Sequence, residues 1–215
     1  MNPAPVRILI ADDHEIVREG LRAMIQRQPG WEVCGDVSTG REVVAQAPAL
    51  NPDIIVMDIG MPELNGLDAT RQIKRALPNT EVLIFTANET EEIVRNVFKA
   101  GAKAYLLKSD ANQHLIPAIE ALCKHRTYFS SKVSELVFAG YLKGEARTDD
   151  QSLTAREREM VQLVAEGNTS KDIAQVLGIS VKTVETHRAA VMRKLKLNSV
   201  ADLVRYAIRN GIILA

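Results

Sequence analysis

The chain has 215 residues, which is long for one typical domain and sufficient for two. Its hydrophobic content of 46% and charged content of 25% are typical of a soluble globular protein, and its apolar runs are too short for a membrane-spanning helix. The net charge is zero, but residues 151–215 carry 10 Lys and Arg against 6 Asp and Glu, whereas residues 1–150 carry 17 Lys and Arg against 21 Asp and Glu. This asymmetry suggests a nucleic-acid-binding C-terminal part and a metal-binding or regulatory N-terminal part.

The N-terminal part alternates short apolar strands with amphipathic helices. The predicted strands are 6–11, 31–37, 54–58, 81–86 and 103–107, and the predicted helices are 15–26, 40–47, 67–77, 89–100 and 114–124. The second helix is predicted to end before Pro48, since a residue that precedes proline is disfavoured in a helix. Strands alternating with helices form a parallel sheet that is covered on both faces. The pattern therefore predicts a flavodoxin-like, doubly wound α/β domain with a five-stranded parallel sheet.

The C-terminal part is predicted to be all α, with four helices. Capping residues open these helices at Thr154, Thr169, Ser180 and Ser199. Only residues 178–180 separate the second helix from the third, which is the spacing of a helix-turn-helix.

A polar segment joins the two parts. The predicted domains are residues 1–125 and 152–215, and residues 126–151 are predicted to be a linker with room for a short helix at 132–142. Cys34 and Cys123 lie far apart and lack metal-ligand spacing, so we expect both to be reduced packing residues. The first residues lack a basic region followed by an apolar run, and the sequence thus predicts a cytoplasmic protein without a membrane partner.

Functional-looking side chains follow four of the predicted strands. They are Asp12-Asp13, Asp58, Thr86 and Lys108. The carboxyl ends of parallel strands meet at one sheet edge, so these side chains are predicted to converge. Three carboxylates repel one another unless a hard cation neutralises them, and Mg²⁺ suits a few carboxylates together with a phosphate.

Asp58 follows a buried apolar run and leads into a loop. It is therefore the candidate nucleophile for an aspartyl phosphate, whose oxygens Lys108 and Thr86 can bind. A helix cap or a turn is the alternative role that the position of Asp58 alone leaves open.

The third C-terminal helix, predicted at 181–195, has an apolar stripe and a polar stripe. The apolar stripe consists of Val181, Val184, Val191 and Leu195. The candidate DNA-binding residues are Lys182, Thr183, Glu185, Thr186, Arg188, Ala189, Arg193 and Lys194, with Lys196 just beyond. Basic side chains suit phosphates, Glu185 suits a cytosine amino group, and Thr186 suits a base edge or methyl group. An ordinary amphipathic helix with a solvated face is the alternative.

Residues 6–124 resemble the receiver domain of two-component response regulators. The shared features are Asp12-Asp13, Asp58 with Met61-Pro62 and Gly66 after it, Thr86-Ala87 and Lys108. The resemblance implies that a sensor histidine kinase phosphorylates Asp58. It also implies a Mg²⁺ site formed by Asp13 and Asp58, by Asp12 through water, and by the carbonyl of Gly60.

The same resemblance implies a switch next to the phosphorylation site. Thr86, Ala87 and Lys108 would contact the phosphoryl group, with Thr86 moving inward and Tyr105 following as the aromatic switch residue. A surface-packed strand residue is the alternative for Tyr105. Ser109 departs from the Lys-Pro that many receivers have, which affects local loop geometry only.

Residues 152–213 resemble the LuxR-type helix-turn-helix domain. The matching segments are LTARE, EGNTSKDIAQVLGIS, VKTVETH and RKL. Together the two resemblances indicate a NarL/FixJ-type response regulator that controls transcription. They imply that 181–195 is the recognition helix, that the phosphorylated chain binds double-stranded DNA half-sites as a homodimer, and that the last helix dimerises. The candidate dimerisation residues are Val200, Leu203 and Val204.

Parts of the sequence are also compatible with two other functions. A phosphohydrolase with an Asp nucleophile and Mg²⁺ usually has a second acid two residues later, where this chain has Gly60, so we do not expect a turnover enzyme. A constitutive DNA binder with a receiver used only for dimerisation is disfavoured, because the set of acids, Thr86 and Lys108 is complete.

Overall fold

A computed structural model describes residues 4–130, 133–134 and 153–213. These residues form two compact units, of which the first contains the described residues up to 62 and from 66 to 134, and the second contains 63–65 and 153–213. The helix anticipated at 132–142 lies outside the described residues, apart from 133–134. Among the described helices, none has both the length and the apolar character needed to cross a membrane.

The first unit is a parallel α/β sheet, as predicted. Its elements are β1 (Val6–Ala11), α1 (Glu15–Gln26), β2 (Trp31–Val37), α2 (Gly40–Leu50), β3 (Ile54–Met57), α3 (Gly66–Ala76), β4 (Glu81–Thr86), α4 (Glu91–Ala100), β5 (Ala104–Leu107), α5 (Ala111–Cys123) and β6 (Tyr128–Phe129). The sheet order is β2-β1-β3-β4-β5-β6, with every pair parallel. The five predicted strands are present, and the two-residue β6 adds an unpredicted sixth inside the expected linker.

Burial on both faces explains the composition of the central strands. All residues of β3, β4 and β5 are buried. Alternate residues such as Ile8, Val56 and Leu106 pack with Leu21 of α1 and Leu115 of α5 in one core cluster. Side chains of successive strand residues point to opposite faces, so a strand that is covered on both faces has to be apolar throughout.

Helix α2 continues past the predicted end. It runs through Pro48 to Leu50 and ends at Asn51, which is left-handed with φ of 43°. The prediction was wrong because Pro48 lies in the last turn, where a missing N–H removes one hydrogen bond and the φ of proline suits a helix. A complete capping box between Thr39 and Glu42 stabilises the other end.

Both cysteines are free, and their environments differ. Cys34 is partly buried in β2, whereas Cys123 is exposed at the last residue of α5. The prediction that Cys123 packs in the interior was therefore wrong. It rested on the absence of metal-ligand spacing, which does not determine whether the last residue of a helix is buried.

The second unit consists of four helices, as predicted. They are α6 (Ala155–Ala165), α7 (Ser170–Leu177), α8 (Val181–Lys194) and α9 (Val200–Arg209). The side chains of Thr154, Thr169, Ser180 and Ser199 each accept a backbone hydrogen bond at the start of one helix. Gly178, with φ of 64°, ends α7 and begins the three-residue turn into α8.

Candidate functional site

Backbone pairing places the residues after β1 and β3 side by side. The amide of Asp58 donates to the carbonyl of Ala11 at 2.8 Å, and the amide of Asp12 donates to the carbonyl of Val37 at 3.2 Å. Both carboxylates are therefore fixed by the sheet itself. Asp12 is fully buried and Asp58 is 5% exposed, whereas Asp13 is exposed.

Lys108 connects the two buried carboxylates. Its Nζ lies 2.9 Å from Oδ2 of Asp58 and 2.7 Å from Oδ2 of Asp12. Burial alone would lower the pKa of Lys108, but the two carboxylates outweigh burial and raise the pKa above its usual value. The side chain is thus a fixed positive charge at the edge of the sheet, beside the oxygen of Asp58 that faces it.

The acidic cluster has the donor set of a divalent cation site. One ligand atom each from Asp12, Asp13, His14 and Asp58 lies within 4.8 Å of the others. Oδ2 of Asp12 is buried, and the contact that the described residues give it is the ion pair with Nζ of Lys108 at 2.7 Å. Three carboxylates against one ammonium leave an excess of negative charge, which a hard cation with oxygen ligands would neutralise. The cluster therefore fits Mg²⁺.

His14 belongs to this cluster, and the sequence reasoning did not identify it. Its amide donates to Oδ1 of Asp12 at 2.9 Å, and its Nδ1 lies 2.7 Å from Oδ1 of Asp13. Arg18 was also missed, and its Nη1 donates to the carbonyl of Asp12 at 2.8 Å. The sequence could have indicated His14 through its position directly after the acid pair that follows β1, since a titratable side chain there can join the cluster.

Gly66 is required by the close approach of α3 to Asp58. A Cβ at this position would lie 1.9 Å from the carbonyl oxygen of Asp58. The Gly66 amide donates to the carbonyl of Ile59 at 2.9 Å, and the carbonyl of Gly66 accepts from Oγ1 of Thr70 at 2.6 Å. The loop that starts at Asp58 is thus closed onto the first turn of α3. Gly60, the predicted carbonyl ligand, is exposed within this loop.

Thr86 and Tyr105 meet at a residue that the sequence reasoning did not identify, Asn88. The amide of Asn88 donates to Oγ1 of Thr86 at 3.3 Å, and the hydroxyl of Tyr105 donates to the carbonyl of Asn88. Both predicted switch residues are fully buried, which rules out the surface role for Tyr105, whereas Ala87 is exposed. Burial, with a smaller contribution from Glu89, raises the pKa of Tyr105, so the phenol stays protonated.

Helix α8 exposes most of the predicted DNA-binding residues. Lys182, Glu185, Thr186, Ala189, Arg193 and Lys194 are exposed, and Thr183 and Arg188 are partly buried. The buried residues of the helix are Val184 and Val191. Val181 was predicted on the apolar stripe but is 42% exposed, because the first helical turn projects beyond the core.

Three of these side chains have partners inside the unit. Thr183 closes the α8 cap with Ser180, and the Thr186 hydroxyl donates to the carbonyl of Lys182 at 2.9 Å. Lys194 Nζ lies 2.7 Å from Oε2 of Glu157 in α6. Lys194 is therefore part of an ion pair and differs from Arg193 in this respect.

Helix α9 presents only some of the predicted dimerisation residues at its surface. Val200 is 41% exposed and Val204 is partly buried. Leu203 is 1% exposed and belongs to the core cluster of the unit, so its prediction as a dimerisation residue was wrong. Ile208, which is 40% exposed, lies two turns beyond Val200 on the same helix.

Comparisons with known proteins agree with both units. The family described as response regulator receiver domain matches residues 8–120, and the bacterial regulatory proteins of the luxR family match residues 151–207. The chain is 39% identical to the transcriptional regulatory protein LiaR of Bacillus subtilis over 209 residues, which cover 97% of this chain and 99% of LiaR. It is 35% identical over 217 residues to the oxygen regulatory protein NreC of Staphylococcus epidermidis, with coverage of 97% and 99%.

A solved structure of similar architecture is that of RcsB from Salmonella enterica serovar Typhimurium, bound to a promoter in the presence of the phosphomimetic BeF₃⁻. It has 26% sequence identity and a TM-score of 0.62, and the match covers 96% of this chain and 98% of RcsB. Family matches to both units and full-length similarity to known regulators lead to one conclusion. The chain belongs to the DNA-binding two-component response regulators of the NarL/FixJ family, which join a receiver domain to a LuxR-type output domain.

Proposed function

We propose that a sensor histidine kinase phosphorylates Asp58 and that this modification controls dimerisation and DNA binding. The observation that carries the proposal is the position of Lys108, whose ammonium lies 2.9 Å from Oδ2 of Asp58 in a buried site. A phosphoryl group on Asp58 brings about two negative charges and three acceptor oxygens, and Lys108 is placed to pair with one of them. The sheet fixes Asp58 while the loop side stays open through exposed Gly60.

The residues that would hold Mg²⁺ are Asp13 and Asp58, the carbonyl of Gly60, and Asp12 through water. Bound there, the cation would neutralise charge on the carboxylates and on the transferred phosphoryl group. His14 and Arg18 hold the acid pair in place through the bonds to Asp12 and Asp13. These bonds use oxygens other than Oδ2 of Asp12, which pairs with Lys108 instead.

The switch consists of Thr86, Asn88 and Tyr105. When Thr86 turns its hydroxyl toward a phosphoryl oxygen, the hydroxyl leaves the amide of Asn88. The β4–α4 loop then loses its bond to Thr86, while the hydroxyl of Tyr105 keeps its bond to the carbonyl of Asn88. Phosphorylation thereby changes the conformation of the loop and of the neighbouring surface, which is the bistable element that the signal requires.

The output is DNA binding by α8. Its exposed basic residues, including Lys182 and Arg193, contact phosphates, and Glu185 and Thr186 face base edges. Val200 and Val204 on α9 pair two output domains, so that a homodimer binds two half-sites. RcsB was solved bound to a promoter in the presence of a phosphomimetic, which supports the proposal of DNA binding. The protein acts in the cytoplasm as a transcription regulator and not as a turnover enzyme. Its domains are 1–125, extended by β6 at the edge of the same sheet, and 152–215, with a linker between β6 and the second domain.

Selection of duplexes from a random-sequence pool, with and without beryllofluoride, tests the proposal. The wild-type chain should recover an enriched sequence with much higher affinity when beryllofluoride and Mg²⁺ are present. The Asp58→Asn and Thr86→Ala variants should lose this difference. Glu120→Gln removes an exposed carboxylate on α5 and should behave as the wild type does. Equal DNA affinity in both conditions would contradict the switch.

A further inference from the structure

Two adjacent residues of α6 make polar contacts near the two ends of α8. Arg156 contacts the last residue before the turn into α8, and Glu157 contacts the last residue of α8. Nη2 of Arg156 donates to the carbonyl of Leu177 at 2.7 Å. Leu177 is the last residue of α7, and the three-residue turn into α8 begins directly after it. A guanidinium at the carboxyl end of a helix satisfies an orphan carbonyl and complements the helix dipole. Nη1 of Arg156 donates to Glu159 at 2.9 Å, which fixes the orientation of the guanidinium.

Glu157 holds the far end of α8. Its Oε2 accepts from Nζ of Lys194, the last residue of α8, at 2.7 Å and from the amide of Thr154 at 2.7 Å. Burial alone would raise the pKa of Glu157, but Lys194 and Thr154 outweigh burial and lower the pKa. The capping box of α6 fixes the carboxylate of Glu157, so the ion pair constrains the position of Lys194 and not that of Glu157.

These contacts matter because α8 has little apolar anchorage of its own. Of its 14 residues, Val184 and Val191 are buried. In contrast, α6 is fixed in the core of the unit by fully buried side chains that include Val161 and Leu163. Val184 and Val191, together with partly buried Met192, form a narrow apolar stripe, which leaves the rotation of α8 about that stripe weakly determined. Polar contacts at both ends supply the missing constraint.

We propose that Arg156 and Glu157 are positioning residues that set the orientation of α8 on DNA, and that Lys194 acts through Glu157 and not through a phosphate. The inference rests on the proposed role of α8 in DNA recognition. It revises the role of Lys194, which the sequence placed among the direct DNA contacts. It leaves Arg193, the exposed neighbour, as a phosphate contact.

A phosphate-contacting Lys194 and a Lys194 that acts through Glu157 predict opposite effects of Glu157→Gln on DNA affinity. A carboxylate repels DNA phosphates, so if Lys194 were a phosphate contact, neutralising Glu157 would free it and would strengthen binding. If Glu157 positions α8, the same change weakens binding to a specific duplex. Glu157→Gln is a clean perturbation, since glutamine also serves at this position of a capping box.

The experiment measures the affinity of the full chain, with beryllofluoride and Mg²⁺, over a range of salt concentrations. The probes are a duplex recovered by selection on the wild type and a mixed-sequence duplex of equal length. Glu157→Gln and Lys194→Gln should each weaken binding to the selected duplex by about two- to fivefold, and the double variant should be no weaker than the worse single variant. Binding to the mixed-sequence duplex should change less, because it depends mainly on phosphate contacts.

The salt dependence separates positioning from phosphate contact. The slope of log affinity against log salt should keep its wild-type value in Glu157→Gln and Lys194→Gln, and should fall by about 0.9 per lost contact in Arg193→Gln. Asp172→Asn is the matched control, because it also converts a capping-box acid to an amide, in α7, where Asp172 bonds Thr169. It should bind as the wild type does.

Tighter or unchanged binding by Glu157→Gln, or a reduced salt slope in Lys194→Gln, would overturn the inference. Lys194→Gln leaves the cap of α6 intact, so it remains decisive if Glu157→Gln impairs folding in circular dichroism. Failure of the wild type to bind any selected duplex would instead refute the proposed function. The two failures are thus distinguishable.

Discussion

Replacing Gly66 with alanine places a methyl group against the backbone of Asp58. The new Cβ would lie 1.9 Å from the carbonyl oxygen and 2.8 Å from the carbonyl carbon of Asp58, and 3.0 Å from Cα of Ile59. Cβ contacts below 3.0 Å are essentially not found in proteins, and the opposing atoms are backbone, so either the β3–α3 loop or the start of α3 must move.

Two buried hydrogen bonds oppose this movement. They join the Gly66 amide to the carbonyl of Ile59 and the Thr70 hydroxyl to the carbonyl of Gly66. Overpacking costs about 1–3 kcal/mol, and a broken buried hydrogen bond adds about 1–3 kcal/mol. We expect Gly66→Ala to lower the free energy of unfolding of the receiver unit by about 3 kcal/mol, a decrease in melting temperature on the order of 10 °C. Displacement of Asp58 should also slow its phosphorylation by about tenfold or more.

The measurement uses urea unfolding followed by the fluorescence of Trp31, the single tryptophan of the chain, which lies in β2 of the receiver unit. Labelling by acetyl phosphate then reports on Asp58. Gly20→Ala is the matched control, because a Cβ at Gly20 in α1 meets nothing within 4 Å, and it should stabilise the unit by about 0.4–1 kcal/mol. A Gly66→Ala variant within about 0.5 kcal/mol of the wild type, with unchanged labelling, would refute the reasoning.

Three further predictions concern buried charge, the output core and the metal. Burial alone would raise the pKa of Glu81, but contacts led by the hydrogen bond from Lys103 outweigh burial and lower the pKa. The ionised Glu81 side chain therefore stabilises the fold above about pH 4.5, and this stabilisation is lost as pH falls through the folded-state pKa. The difference in unfolding free energy between wild type and Glu81→Gln should therefore shrink as pH falls from about 6 to about 3, and a constant difference would contradict the assignment. Leu203→Ala should destabilise the output unit by about 2–5 kcal/mol in calorimetry, whereas Val200→Ala should change its stability by less than about 0.5 kcal/mol. Mg²⁺ should raise the melting temperature of the wild type, EDTA should reverse the rise, and Asp13→Asn should lose most of it; an equal rise in both proteins would exclude Asp13 as a ligand.

The sequence predicted the sheet and the convergence of the acids because these features have local causes. Runs such as β3 are apolar at every position, and parallel strands bring Asp12, Asp58 and Lys108 to one edge regardless of loop detail. The capping boxes of the output unit likewise depend on residues three apart, and Thr154 and Glu157 form theirs as expected.

Features that depend on tertiary packing were not predictable in this way. Helical periodicity assigns Leu203 to an apolar face but does not say whether that face meets the core or a second copy. The role of Asn88 as a common partner of Thr86 and Tyr105 depends on the path of the β4–α4 loop, because Tyr105 lies 17 residues beyond Asn88. The ion pair of Glu157 with Lys194 spans 37 residues, and no local pattern indicates it.

The short strand β6 has a consequence for how the receiver can be separated from the rest of the chain. Tyr128 and Phe129 pair with Ala104 and Tyr105 of β5, and the ring of Phe129 lies 4.8 Å from that of Phe98 in α4. A fragment that stops at residue 125 would expose the hydrogen-bonding edge of β5 beside Tyr105, and free edges of this kind recruit other strands. A fragment ending at residue 130 keeps that edge paired, and is the appropriate unit for comparing the receiver alone with the intact regulator.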